Sequence, residues 1–142
     1  MVVATNLRLV RQVMREILLI ADPYVKAPVI HYENRHFTPP NPPDVYVKET
    51  MQPAPERMPS FGLIESRGLT RYDVFTPEGS GTEKAEDIAM NIATVFQPST
   101  GKTSQGVTLA FDRAERKQGR KVDSAWWMIP VVITWRTYTK TI

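Results

Sequence analysis

Residues 98–104 read PSTGKTS, and the Gly-Lys-Thr at their centre is the tripeptide that closes a phosphate-binding loop. Such a loop needs Gly-x-x-x-x-Gly-Lys-[Ser/Thr] after a strand and before a helix, so that backbone N–H groups and the helix N-terminus face the phosphates. Here the residue five before Gly101 is Phe96, and the segment follows a predicted helix and precedes a predicted strand. Gly101 and Lys102 are therefore expected in a polar turn that binds no nucleotide. A second glycine cluster, Gly79-Ser80-Gly81, does precede a helix. It lacks the Gly-x-Gly-x-x-Gly spacing and a preceding parallel-strand unit, and reads as a turn.

The other residue types that could do chemistry are equally sparse. His31 and His36 are the only histidines, and a spacing of five without nearby Cys is not a zinc pattern. Asp112, Glu115 and Asp123 flank a segment rich in Arg and Lys, which suits surface ion pairs better than an acid-base pair. No Ser stands in a Gly-x-Ser-x-Gly elbow, and the chain has no cysteine, which removes thiolate catalysis, thiolate metal sites and disulfides. No catalytic residue, cofactor site or metal site is expected. The best candidate for contact with a polyanion is the segment 113–121, where Arg113, Arg116, Lys117, Arg120 and Lys121 are expected near a hairpin tip.

Chain-wide features bound the rest. With 142 residues, 42% of them hydrophobic, the chain can build one ordinary core, and a single domain over 1–142 is expected. The formal charge of +3 comes from 18 basic against 15 acidic residues, intermixed rather than gathered on a dedicated nucleic-acid face. The longest apolar run, WWMIPVVITW at 126–135, is far shorter than the roughly 20 residues that span a bilayer. Arginines interrupt the apolar N-terminal stretch, so it does not read as a signal peptide, and no membrane partner is expected.

Three regions should position these residues. Residues 1–22 hold an amphipathic helix over 6–21, in which Leu7, Val10, Met14, Ile17 and Leu18 share one face while Leu9, Val13 and Ile20 widen the apolar arc beyond one core contact. Arg8, Arg11 and Arg15 line the remaining face. Residues 23–59 contain nine of the twelve prolines and read as an extended arm with a short strand in DVYVKETM. Residues 60–142 hold the sheet and the main helix. FGLIESRGLTRYDVFTP reads as a long strand with bends or bulges at Gly62 and Gly68, and Ser80-x-x-Glu83 reads as a capping box opening a helix that Pro98 stops. GVTLAFDRA and SAWWMIPVVITWRTYT follow as strands joined by a charged linker. In the last strand Trp127, Ile129, Val131, Ile133 and Trp135 form one apolar face, and Trp126 and Met128 make the other partly apolar. Pro130 cannot donate to a ladder, which predicts an edge strand or a bulge. The fold class is α+β: a mostly antiparallel sheet with the main helix on one face, an N-terminal helix and a proline-rich extended arm. Its apolar surplus marks Leu9, Val13, Ile20, Phe37, Tyr46, Trp126 and Met128 as candidate subunit contacts.

In order along the chain, the amphipathic helix, Asn34-x-x-Phe37-Thr38-Pro39-Pro40, the strand DVYVKETM, Thr76-Pro77-x-Gly79-x-Gly81 with the main helix, and the closing apolar strand resemble the tail terminator family of long-tailed bacteriophages. The resemblance spans nearly the whole chain. It implies a lambda-tail-terminator-like α+β fold and a virion structural protein, made in the host cytoplasm, without enzymatic activity. It further implies a homo-oligomeric ring, six-membered in that family, that caps the tail tube, stops its polymerisation and joins tail to head. The implied partners are the tail tube protein, the head–tail connector protein, and DNA that passes through the lumen unread. The alternative is a small DNA-binding accessory protein using Arg8, Arg11, Arg15 and the 113–121 segment.

Overall fold

A computed structural model describes residues 7–20, 30–31, 45–60, 62–79, 81–97, 102–104, 107–123 and 125–140. Most of the proline-rich arm, including His36, Phe37 and the Asn34–Pro40 motif, lies outside the described residues, as do Ser80, Pro98 and Gly101.

Two helices and eight strands are present among the described residues. Helix α1 is Leu7–Ile20 and helix α2 is Glu83–Val95. The strands are β1 (Ile30–His31), β2 (Tyr46–Pro53), β3 (Arg57–Ser60), β4 (Leu63–Pro77), β5 (Lys102–Ser104), β6 (Val107–Arg116), β7 (Arg120–Val122) and β8 (Trp126–Lys140). They form one sheet in the order β1-β2-β4-β8-β6-β5, with β3 beside β4 and β7 beside β8. Only β1–β2 is parallel; every other pairing is antiparallel. The fold is therefore α+β with a mostly antiparallel sheet.

Two 15-residue strands, β4 and β8, pair along their full length at the centre. Each is flanked on its outer side by a broken strand that reaches it through a tight turn. β2 and β3 run in succession beside β4, with Gly62 at φ 81° in the turn. β6 and β7 run in succession beside β8, with Asp123 at φ 50° in the turn and its carboxylate accepting the Ala125 N–H at 2.7 Å.

Both helices cover one face of the sheet. Alternation along β8 sends Ile129, Val131, Ile133 and Trp135 to that face, where they meet Tyr72 and Val74 of β4, Val47 of β2 and Leu109 and Phe111 of β6. Helix α2 adds Ala85, Ile88, Ala89, Ile92 and Ala93, and α1 adds Val10, Val13, Met14 and Leu18. Tyr72 stacks on Phe96 at 5.7 Å, and Phe96 meets Phe111 edge-on at 5.2 Å. Gly68 lies mid-strand in regular register, not at a bulge: a Cβ there would come within 2.6 Å of the Trp135 ring and 2.8 Å of the Gln52 carbonyl. The indole needs that space.

Three further expectations are corrected. The N-cap of α2 is Thr82, so Glu83 is the first helical residue and not the third of a capping box. β8 is central, not an edge strand. The carbonyl of Pro130 accepts the Lys117 N–H at 2.8 Å on the side where β6 gives way to β7, so its missing donor faces that break and costs no ladder bond. Finally, 113–121 is not a hairpin tip: Arg113–Arg116 belong to β6 and Arg120–Val122 to β7, and the turn into β8 comes later, at Asp123.

Candidate interaction surfaces

Glu49, on the helix face of β2, is buried and anchors α1. Its carboxylate accepts from Arg15 Nη2 at 3.0 Å and from the Tyr72 hydroxyl at 3.1 Å. Beside it, Trp135 Nε1 donates to Thr70 Oγ1 at 3.0 Å, and the Thr70 hydroxyl donates to Met14 Sδ at 3.2 Å. These bonds tie α1 to β2, β4 and β8. Arg15 thus serves the core and is not part of a purely solvated arginine row.

The opposite face carries no helix among the described residues. At one end Tyr46 stacks on Phe75 at 4.5 Å and meets Trp126 edge-on at 5.0 Å, with Met128 and Val122 completing a small apolar cluster. Burial, and then the Asp123 carboxylate, pushes the Tyr46 phenol above its ordinary pKa, so it stays neutral. Of the candidate subunit contacts, Tyr46, Trp126 and Met128 are therefore covered within the chain, and Val13 belongs to the main core. Leu9 is half-buried; Ile20 closes α1, and its side chain, with the whole of Phe37, lies outside the described residues. The alternation that gave β8 two apolar faces is real, but much of the surplus is taken up inside the chain.

Away from that cluster the face is ionic. Arg67 pairs with Glu65 at 3.5 Å, Arg71 with Asp73 at 3.0 Å, Arg113 with Glu115 at 2.7 Å and Arg136 with Asp112 at 3.0 Å. In each pair the guanidinium is the outer partner. Side-chain exposures are 49% for Arg67 against 3% for Glu65, and 41% for Arg71 against 2% for Asp73. Burial raises the pKa of the Asp73 carboxyl, against the opposing pull of Arg71, Lys48 and Arg120. The hydrogen bond from the Lys117 ammonium, helped by Arg113, holds Glu115 below its ordinary value against desolvation. Arg67 and Arg136 stand directly opposite one another across β4 and β8, a like-charge juxtaposition that a sheet ordinarily avoids. Between these arginines runs an open groove of about 400 Å³, with Pro53, Ala54, Gly68 and Leu69 as apolar lining and Gln52, Arg67, Asp112 and Thr134 as polar lining.

Four of the five candidate polyanion residues have carboxylate partners in the chain: Arg113 and Lys117 share Glu115, Arg116 bonds Glu86 of α2, and Lys121 lies 3.5 Å from Glu78. Arg120 pairs in register with Met128. The five are strung along β6, the break after it and β7 rather than gathered on one tip. The Lys102–Thr103 dipeptide lies in β5, paired with Leu109 and Thr108 of β6, which is not the geometry of a phosphate loop. Among the described residues no three His or carboxylate side chains converge as a metal site, and no helix is long and apolar enough to cross a membrane.

What sequence reasoning missed is the arginine-rich sheet face. Arg67 and Arg71 are four residues apart on β4, but Arg136 is remote in the chain, and only the β4–β8 register sets it beside them.

Comparison with known proteins bears on this arrangement. No curated protein sequence matches the chain. One solved protein chain superposes with a TM-score of 0.73 at 21% identity, covering 94% of this chain and 96% of that one. A chain from the virion of a native gene transfer agent particle superposes with a TM-score of 0.58 at 19% identity, covering 88% of this chain and 91% of its own. At such identities the likeness is one of fold. A family model described as phage tail terminator protein matches residues 9–135, from the first helix through the central β8 strand. That match takes in α2 and β4 whole and most of α1 and β8, and by it the chain belongs to the phage tail terminator family of structural tail proteins.

Proposed function

We propose that the chain acts as a single domain that assembles into a closed ring, six-membered by the family resemblance, on the end of a phage tail tube. There it stops addition of tube subunits and presents a new surface to the head–tail connector, while DNA passes through the lumen without being read. The role is steric and structural, not catalytic, and its place is the neck of the virion. The observation that carries this reading is the family match over residues 9–135. The fold supports it: one face of the sheet is covered by helices and the other is open and charged, so the chain has two unlike surfaces through which copies can join head to tail and close. The DNA-binding alternative loses ground because Arg15 is bound to the buried Glu49 of the core, and the basic residues of 113–121 are strung out beside β8 rather than gathered on one tip.

The test is a polymerisation assay with the cognate tail tube protein, in which tube length is followed by electron microscopy after addition of this chain. Capping should arrest growth at one end at substoichiometric protein. Tubes that lengthen unchanged, together with DNA retention that falls steeply with salt, would favour the accessory-protein reading instead.

A further inference from the structure

Two exposed large apolar side chains stand among the described residues, Leu19 at 77% and Met90 at 53%. Leu19 lies on the outer side of α1 beside Arg15 one turn earlier. Met90 lies on the outer side of α2, in line with exposed Glu83, Asp87 and Thr94 at i, i+4, i+7 and i+11, with Lys84 on the flank. On this helix the ion-pair asymmetry is reversed: Glu86 is more exposed than its partner Arg116. Helix α2 therefore turns an acidic stripe with a central apolar knob to solvent. The sheet face on the far side of the chain turns outward guanidinium groups around an apolar groove. Its row Gln52–Leu69–Thr134 lies between the Arg67–Arg136 row and Arg71, with Arg113 at its end.

We infer that these two surfaces are the two halves of one subunit contact: Met90 of one copy seats over Leu69 in the groove of the next, and Glu83 and Asp87 meet Arg67, Arg71 and Arg113. A second copy of this chain is the occupant because the complementary charge and the knob are both present on it, on the opposite layer. Contact between unlike surfaces is heterologous, which is the kind that closes into a ring. The outward arginines, each backed by a less exposed carboxylate of its own chain, then have a reason to stand on one face, since they present their exposed guanidinium groups to an acidic neighbour. Leu19, set beside Arg15, does not match a basic face and is not the knob. This assignment of faces rests on the ring proposed above.

The cysteine-free chain allows a direct test. Met90→Cys and Leu69→Cys, made together in the full chain, place thiols on opposite sides of the sheet, where they cannot link within one molecule. Oxidation of the concentrated protein, alone and with cognate tail tubes, should give a ladder of covalent oligomers ending at the ring size. Either single variant should give none, and the ladder should weaken as salt rises. Gln52→Cys in place of Leu69→Cys should give the same ladder from a second groove position. A ladder missing from both double variants while rings are seen on tubes would overturn the face assignment and leave the capping role standing. Dimers from Met90→Cys alone would also overturn it, because they mark a like-to-like contact. A ladder without tube capping would keep the contact and remove the terminator role, and the absence of both would remove both.

Discussion

At the scale of single residues, the most consequential side chain is Glu49, a buried carboxylate that holds Arg15 of α1 and the Tyr72 hydroxyl of β4 at once. Glu49→Ala would take an acceptor from the buried Tyr72 phenol and an anion from the half-buried Arg15 guanidinium. The expected loss is about 2–3 kcal/mol, read by urea denaturation, with α1 loosened first in hydrogen exchange. Asp73 makes a prediction of opposite character. A carboxyl whose folded-state pKa stands above its unfolded value binds more protons when folded. Its contribution to stability is therefore full below the ordinary aspartate range and is lost as pH rises through the raised value. Subtracting the stability of Asp73→Asn from that of the wild type across this window should give a difference that falls with pH; a flat difference would show that burial does not perturb Asp73. None of this was legible in the sequence. Arg15 reads as one of a row of three arginines on one helix face because its partner lies 34 positions away, and nothing in the sequence marks Asp73 as buried.

At the scale of elements, helix α2 shows how far periodicity carries. The 3.6-residue spacing of its sequence puts Ala85, Ile88, Ala89 and Ile92 on one face, and all four are buried. Ile92→Ala should cost about 2–5 kcal/mol in thermal or denaturant unfolding, whereas Met90→Ala, on the outer side, should stay within about 0.5 kcal/mol while weakening self-association in sedimentation. Equal losses at the two positions would mean that α2 is seated differently on the sheet. The long strands β4 and β8 were legible too, β8 because its apolar residues alternate from Trp127 to Trp135 and β4 as a long extended stretch between turns. Their broken neighbours were not. The charge of 113–121 suggests a tip, yet those side chains run along the rim of β8 and pair with Glu86, Glu78 and Glu115. Pro130 suggested an edge because a sequence shows a missing donor but not which neighbour it faces. Here that neighbour is the break at 117–119, where Gly119 packs so closely on the Trp127 indole that a Cβ would lie 2.8 Å from it.

At the scale of the whole molecule, the chain separates two tasks by layer. One layer is a helix-covered core of Val, Ile, Leu and aromatic side chains that fixes the shape. The other is an open sheet face whose small aromatic cluster at one end gives way to outward arginines around a groove. The apolar surplus that argued for oligomerisation is smaller than composition suggests, because Tyr46, Trp126 and Met128 cluster with Phe75 inside the chain. What remains for assembly is mainly charge, with Met90 as an apolar centre, so association should be salt-sensitive and weaker in solution than on a tube end that holds several copies in place. The central claim is closure into a ring on the tube, and the most direct measurement is an axial electron-microscopy average of cognate tail tubes mixed with the purified chain. The account predicts a closed ring of copies with an open lumen at one end of each tube; bare tube ends, with the chain still monomeric at high concentration, would contradict it.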